Sequence, residues 1–295
     1  MTIVIIQARM GSTRLPGKVL KVIEGKTLLE HLILRLKRSK TLDKIILATT
    51  DRAEDHAIEK LAESLGIEVF RGSENDVLDR YYQCARINNY PRESDIPNPR
   101  KSDVKNPRES EENPQKSDIV IVRITGDCPL MDPAVVDDVV NFYRENKEKF
   151  DYASNIRPPT YPDGMDVEVF SFSTLEKAWK EAKLTSEREH VTAYIGNHPE
   201  IFNIGNLEYS NVIRENSKIN PRKSLENIRL TVDNQEDLLL IQKIFSELYP
   251  KDINFGLNDI LDYIEKNPEL LKINRRVERN EGYKKSLKED EAANN

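Results

Sequence analysis

Gln7 to Leu20 reads QARMGSTRLPGKVL and follows directly on the apolar run Ile3 to Ile6. A short β-branched run without polar interruption is a buried central strand. Where it stops, Gly11 and Gly17, the cations Arg9, Arg14 and Lys18, and Pro16 share one loop. A loop of this kind at the carboxyl end of a strand offers backbone N–H groups to anionic oxygens, at the place where open α/β sheets bind nucleotides. Glycine lets the backbone approach closely, proline limits the loop's freedom before a ligand arrives, and arginine can grip a phosphate with two donors. It is not the loop of the P-loop NTPases: five residues separate Gly11 from Gly17, and Val19 stands where a hydroxyl would hold magnesium. Nor is it GxGxxG. On composition alone the same stretch also suits a basic surface turn.

The rest of the chain narrows the choice. Its 295 residues can bury one large core, and its formal net charge of −6 favours neither nucleic acid nor an anionic membrane as partner. Any anion site is therefore local. Cys84 and Cys128 are too few for a secreted disulfide framework and lack the companions of a metal knuckle, which leads us to expect a cytoplasmic protein. No stretch approaches the roughly 20 apolar residues of a membrane span.

Taken in order, the sequence alternates strand and helix. Thr27 and Glu30 make a capping box before the stripe Leu28, Leu29, Leu32, Ile33 and Leu36. Lys44 to Thr49 is the next strand, a helix carrying Ile58, Leu61 and Leu65 follows, and Ile67 to Phe70 is a third strand. This βαβ grammar specifies a parallel sheet. RGSENDVLD (71–79) leads into a helix reaching about Asn88. Residues 91–117 then repeat a Pro-, Lys-, Glu- and Ser-rich unit with almost nothing to bury, and read as a disordered insertion.

DIVIVRIT (118–125) resumes the sheet and ends abruptly in GDCP, placing Asp127 at a strand's carboxyl end; Asp132 and Pro133 then open a helix. Tyr152 to Ile156 is read as a strand. In YPDGMDVEVF (161–170) an extended chain puts Asp166 and Glu168 on one face, a set of carboxylates suited to sugar hydroxyls or merely to solvent. Ser173 with Glu176, and Ser186 with Glu189, read as caps of two further helices. His190 is a possible base or only a polar helix residue. Asn227 to Val232 reads as a last strand with Asp233 at its end, where Asp233 is either a ligand or a cap. Residues 275–295 form a polar C-terminal tail expected to fray.

The loop and GDCPL (126–130) together resemble the signature motifs of the CMP-sugar synthetases, the cytidylyltransferase family that includes the 3-deoxy-manno-octulosonate and acylneuraminate enzymes. The chain is most similar to the SpsF-type branch, named for spore coat polysaccharide biosynthesis. The likeness spans Thr2 to Glu265 apart from 91–117. It implies an α/β, Rossmann-like nucleotide-diphospho-sugar transferase fold, with a mostly parallel central sheet flanked by helices in one nucleotidyltransferase domain over residues 1–265. It also implies a homodimer, with Ile201 to Glu208 leaving the main sheet as part of the dimerisation element.

The implied reaction is attack by an acceptor sugar or sugar phosphate on the α-phosphorus of CTP, with Mg²⁺ as cofactor and pyrophosphate released. Motif by motif, Gln7, Ala8, Gly11, Ser12 and Thr13 fall to the nucleotide, Arg9, Arg14 and Lys18 to its phosphates, and Arg71 and Ser73 near the base. Asp127 matches the metal-binding aspartate of GDxPL. LTVDNQEDL resembles the second acidic motif and makes Asp233 the other metal ligand. PDGMDVEVF, with Asp163, Asp166 and Glu168, and TSEREHVT, with Arg188 and His190, resemble acceptor-binding stretches. Two other readings stay open: a sugar-1-phosphate nucleotidyltransferase using another base, and a glycosyltransferase or non-catalytic nucleotide-binding protein.

Overall fold

The computed structural model describes residues 1–89, 118–209, 225–277 and 279–293. The insertion at 91–117 and most of the polar stretch after Glu208 lie outside these residues. Its strands are β1 (Thr2–Gln7), β2 (Val22–Ile23), β3 (Lys26–Thr27), β4 (Lys44–Thr50), β5 (Glu68–Gly72), β6 (Val120–Thr125), β7 (Tyr152–Ser154), β8 (Glu168–Ser171) and β9 (Ile204–Asn206). The helices are α1 (Leu28–Leu36), α2 (His56–Ser64), α3 (Val77–Asn89), α4 (Pro133–Glu145), α5 (Phe172–Glu181), α6 (Thr185–Glu189), α7 (Ala193–Asn197), α8 (Gln235–Leu248), α9 (Leu257–Lys266) and α10 (Glu281–Ala293). No helix among the described residues is long and apolar enough to cross a membrane.

Seven strands form one sheet in the order β5-β4-β1-β6-β8-β7-β9, while β2 and β3 make a separate two-stranded hairpin. The β5-β4-β1-β6 half is parallel throughout; β8 runs antiparallel to both β6 and β7, and β9 is again parallel to β7. The first strand is thus central, as its uninterrupted apolar run requires, because both of its faces are covered. Side chains alternate across it. Val4 and Ile6 join a core with α1, α4 and α8, whereas Ile3 and Ile5 join a second core with α3 and α5.

The caps at Thr27 and Asp132 form as read, each side chain accepting a backbone N–H from the first turn, while α8 is capped by Asn234 and not by Asp233. Four local expectations are corrected. Ser171 rather than Ser173 caps α5, because Ser173 already donates to Asp118. The Glu187 carboxylate, rather than a Ser186 cap, receives the Lys183 and Leu184 N–H groups before α6. Residues 204–206 do not leave the main sheet but close its edge beside β7. The stretch 227–232 forms no regular strand: only Arg229 makes an isolated bridge, to Asp163, with Leu230 N–H donating to the Asp163 carbonyl and Val232 N–H to that of Asp127.

The polar C-terminus also departs from its expected fraying. Glu281–Ala293 is helical and packs on α6, with Ser286 and Asp290 buried. Its anchors are hydrogen bonds, which a reading of apolar periodicity does not register.

Candidate active site

The loop after β1 is shaped by its own backbone. Ser12 N–H and Gly17 N–H both donate to the Met10 carbonyl, at 2.8 and 3.1 Å, and Gly17 adopts φ 64°, a left-handed conformation natural to glycine. A short 3₁₀ turn at Lys18–Leu20 follows. The loop is tied to the sheet by Asp55, 1% exposed, which the sequence reading missed. Its carboxylate accepts from Met10 N–H at 2.7 Å and from the Thr49 and Thr50 hydroxyls at 3.0 and 2.5 Å.

Lys18 joins the two aspartates. Its ammonium donates to Asp127 Oδ2 at 2.5 Å and to Asp233 Oδ1 at 2.8 Å. Burial works against the charged ammonium, but the two carboxylates outweigh it and hold the Lys18 pKa above its ordinary value. Burial likewise opposes ionisation of Asp233, and Lys18, Arg14 and Arg229 overcome it, bringing its pKa down to about 2. Asp127 reaches this point because Gly126 donates its N–H to the Gln7 carbonyl at 2.8 Å. A Cβ on Gly126 would lie 2.8 Å from that of Ala8.

Asp233 is held by Arg229, another residue missed from sequence. This buried guanidinium donates to Asp163 Oδ2 and Asp233 Oδ2, both at 2.5 Å, and to Asp237 Oδ1 at 3.0 Å. The PDG turn meets the same segment closely: Gly164, at φ 101°, leaves no room for a Cβ, which would stand 2.6 Å from Thr231 N.

A cavity of about 870 Å³ opens over this arrangement, bordered by Gln7, Ala8, Arg9, Gly11, Ser12, Thr13, Arg14, Lys18, Asp127, His190 and Asp233. The Gln7 Oε1 atom is buried without a hydrogen-bond partner. Arg14 bridges Asp233 at 2.9 Å and Glu281 at 2.5 Å, and Arg9 faces Glu74 at 3.9 Å. A second cavity of about 290 Å³ adjoins the first and shares Gln7, Arg14, Asp127, His190 and Asp233 with it; Asp163, Asp166 and Glu168 line its own part.

These three carboxylates do not form one free face. Glu168 is buried against Arg123 and accepts from Tyr152 at 2.6 Å and Thr192 at 2.5 Å, so its oxygens are occupied. Burial would raise its pKa, and Arg123 with these hydroxyls instead brings it below the ordinary value. Asp166, partly open to the cavity, takes Arg279 at 2.6 Å. Its poorly solvated walls push its pKa up to about 7 against the pull of Arg279, helped by Asp163 and Glu168. His190 lies within 3.1 Å of Ser286 on α10, and burial lowers its pKa.

Arg71, Ser73 and Arg188 do not line either cavity. Arg71 binds Glu59 at 2.7 Å and the Thr50 and Arg52 carbonyls, bracing β5 against α2. The Ser73 hydroxyl accepts Asp76 N–H at 3.0 Å. Arg188 grips Asp76 at 2.6 Å and the Trp179 carbonyl at 2.7 Å, joining α6 to α3 and α5.

The family model described as Cytidylyltransferase matches residues 3–96 and 106–280. An uncharacterised protein of Methanocaldococcus jannaschii is 40% identical over 276 residues, which are 92% of this chain and 94% of that protein. The spore coat polysaccharide biosynthesis protein SpsF of Bacillus subtilis is 30% identical over 270 residues, 90% of this chain and 94% of SpsF. A solved cytidylyltransferase from Leptospira borgpetersenii superposes with a TM-score of 0.75 at 30% identity, covering 94% of this chain and 99% of that one. The central loop, the sheet and these likenesses agree, and the chain belongs to the cytidylyltransferase family as an enzyme of that type, in its SpsF-like branch.

Proposed function

We propose that this enzyme activates a sugar or sugar phosphate by transferring the cytidylyl group of CTP to it, with release of pyrophosphate, in the making of a cell-surface polysaccharide or glycan. The observation that carries the reading is the Lys18 ammonium held between Asp127 and Asp233 on the floor of the larger cavity, beside a smaller one suited to an acceptor. The family name supports CTP, and the name of SpsF supports a polysaccharide route.

A point already flanked by two carboxylate oxygens favours a cation, and hard oxygen donors suit Mg²⁺. Asp127 and Asp233 are the residues that would hold it. Among the described residues no cluster of three or more His, Cys, Asp or Glu side chains is arranged for a metal, so phosphate oxygens and water would complete its shell, as magnesium prefers. When bound, Mg²⁺ supplies neutralisation of phosphate charge. The chain's own part is positioning. Arg14 and Lys18 stabilise charge on the phosphate oxygens, and the acceptor oxygen attacks the α-phosphorus as the bond from that phosphorus to the pyrophosphate oxygen breaks. Assembly as a homodimer belongs to the same reading, and a monomer mass by sedimentation would remove it.

A panel of nucleoside triphosphates against candidate sugars and sugar phosphates, read as magnesium-dependent pyrophosphate release, tests the reaction; preference for another base would move the chain to the sugar-1-phosphate class. Titration calorimetry of CTP with Mg²⁺ into Asp127→Asn, Asp233→Asn and the double variant tests the shared site. Two ligands of one ion lose less together than the sum of their separate losses. Additive losses, or normal affinity in Asp233→Asn, would separate the two aspartates.

A further inference from the structure

The larger cavity has a second wall that lies beyond the residues matched by the family model. Glu281, Lys284 and Lys288 of α10 border it across from the loop. They recur at i, i+3 and i+7, one stripe of a helix that turns about 100° per residue. Tyr283, Ser286 and Asp290 lie on the opposite side by the same count, and they attach the helix. Asp290 accepts Thr185 N–H at 2.9 Å and Ser186 N–H at 3.2 Å, Ser286 donates to Glu189 at 2.7 Å, and the Tyr283 hydroxyl accepts from Asn197 at 2.8 Å. The helix is therefore aimed by polar anchors.

Charge on the loop side shows why a second wall matters. Arg9 faces Glu74, Arg14 faces Asp233, and Lys18 faces both Asp127 and Asp233. Each loop cation thus already meets a carboxylate, and a triphosphate carries several negative charges into the same space. Exposed Lys284 and Lys288 bring further positive charge to the cavity.

Resting on the reading of this cavity as a nucleoside triphosphate site, we propose that α10 is part of that site, with Lys284 and Lys288 binding the phosphates from the side opposite the loop and Asp290 positioning them. CTP then lies between two cationic walls, and the terminal helix contributes to affinity for the triphosphate far more than for a monophosphate.

The test uses the full chain carrying Lys284→Gln with Lys288→Gln, Asp290→Ala alone, and Lys243→Gln on the exposed side of α8 as control. Calorimetric titration with CTP and with CMP gives the affinities, and thermal melts check folding. The double variant should weaken CTP binding about tenfold, CMP binding about twofold or less, and keep the wild-type melt; Lys243→Gln should change neither. Asp290→Ala should weaken CTP in the same sense; if it does not fold, the double variant decides. Unchanged CTP affinity in the double variant, or an equal loss for CMP, overturns the proposal. Wild-type protein that does not bind CTP would instead sink the nucleotide reading. Titration with inorganic tripolyphosphate then decides the helix: binding lost in the double variant keeps the phosphate wall, while equal binding or none in the wild type removes it.

Discussion

Removing the Lys18 ammonium leaves Asp127 and Asp233 facing one another with no cation between them. The lysine side chain is only 12% exposed, so Lys18→Ala should cost about 1–3 kcal/mol of stability, the range for stranding polar groups away from water. It should also remove most of the turnover, through the lost neutralisation of the phosphates. A divalent ion can replace the missing charge. We therefore expect Mg²⁺ to raise the melting temperature of Lys18→Ala more than that of wild type, and an equal rise would show that the ion does not enter between the two carboxylates. Asp166 gives a different residue-scale signature. Its pKa near 7 in the folded chain lies above the ordinary carboxylate value of about 4. Between those values the native state holds a proton that the unfolded chain has released, so this residue's contribution to stability falls as pH rises. Asp166→Asn should flatten that decline in melts taken across the window, and an unchanged slope would assign it to another group.

At the scale of elements, the ends of β1 and β6 determine whether loop and carboxylate meet. Gly126 stands where they touch, and Gly126→Ala must push the GDCP turn off Ala8 or the Gln7 carbonyl. Overpacking of this kind costs about 1–3 kcal/mol. The displacement also moves Asp127 away from Lys18, so nucleotide affinity should fall along with the melting temperature; a stability loss with unchanged CTP affinity would show that the turn relaxes elsewhere. The elements themselves were largely legible, because β1, β4 and β6 are apolar runs and α1, α4 and α8 carry stripes with oxygen-bearing caps. The segment before Asp233 misled for a physical reason. Its alternation of apolar and polar residues is real, but the chain there follows the PDG turn and the end of β6 through scattered hydrogen bonds instead of a ladder.

For the whole molecule, the sequence was legible where chemistry is local and opaque where it is assembled from afar. Lys18, Asp127 and Asp233 sit in recognisable strings, and the fold brings them together across the carboxyl edge of the sheet. Asp55 and Arg229 do not announce themselves, since an acid at a helix start and an arginine in an extended run are common, and only the folded chain shows the Met10 N–H or the three carboxylates they meet. Arg71 and Arg188 also lie in family-like strings, and the folded chain sets them against Glu59 and Asp76. The central place of β1 has a further consequence, for synthesis. Thr2 to Gln7 leaves the ribosome before either of its neighbours, pairs with Lys44 to Ala48 soon after, and meets its other neighbour only when Val120 to Thr125 has been made. At translation rates of about 5–20 residues per second, Asp233 follows Lys18 by roughly 10–40 s. During that interval the nascent chain carries the loop after β1 without its second balancing charge, and Lys18 gains its full setting only once Asp233 has been made.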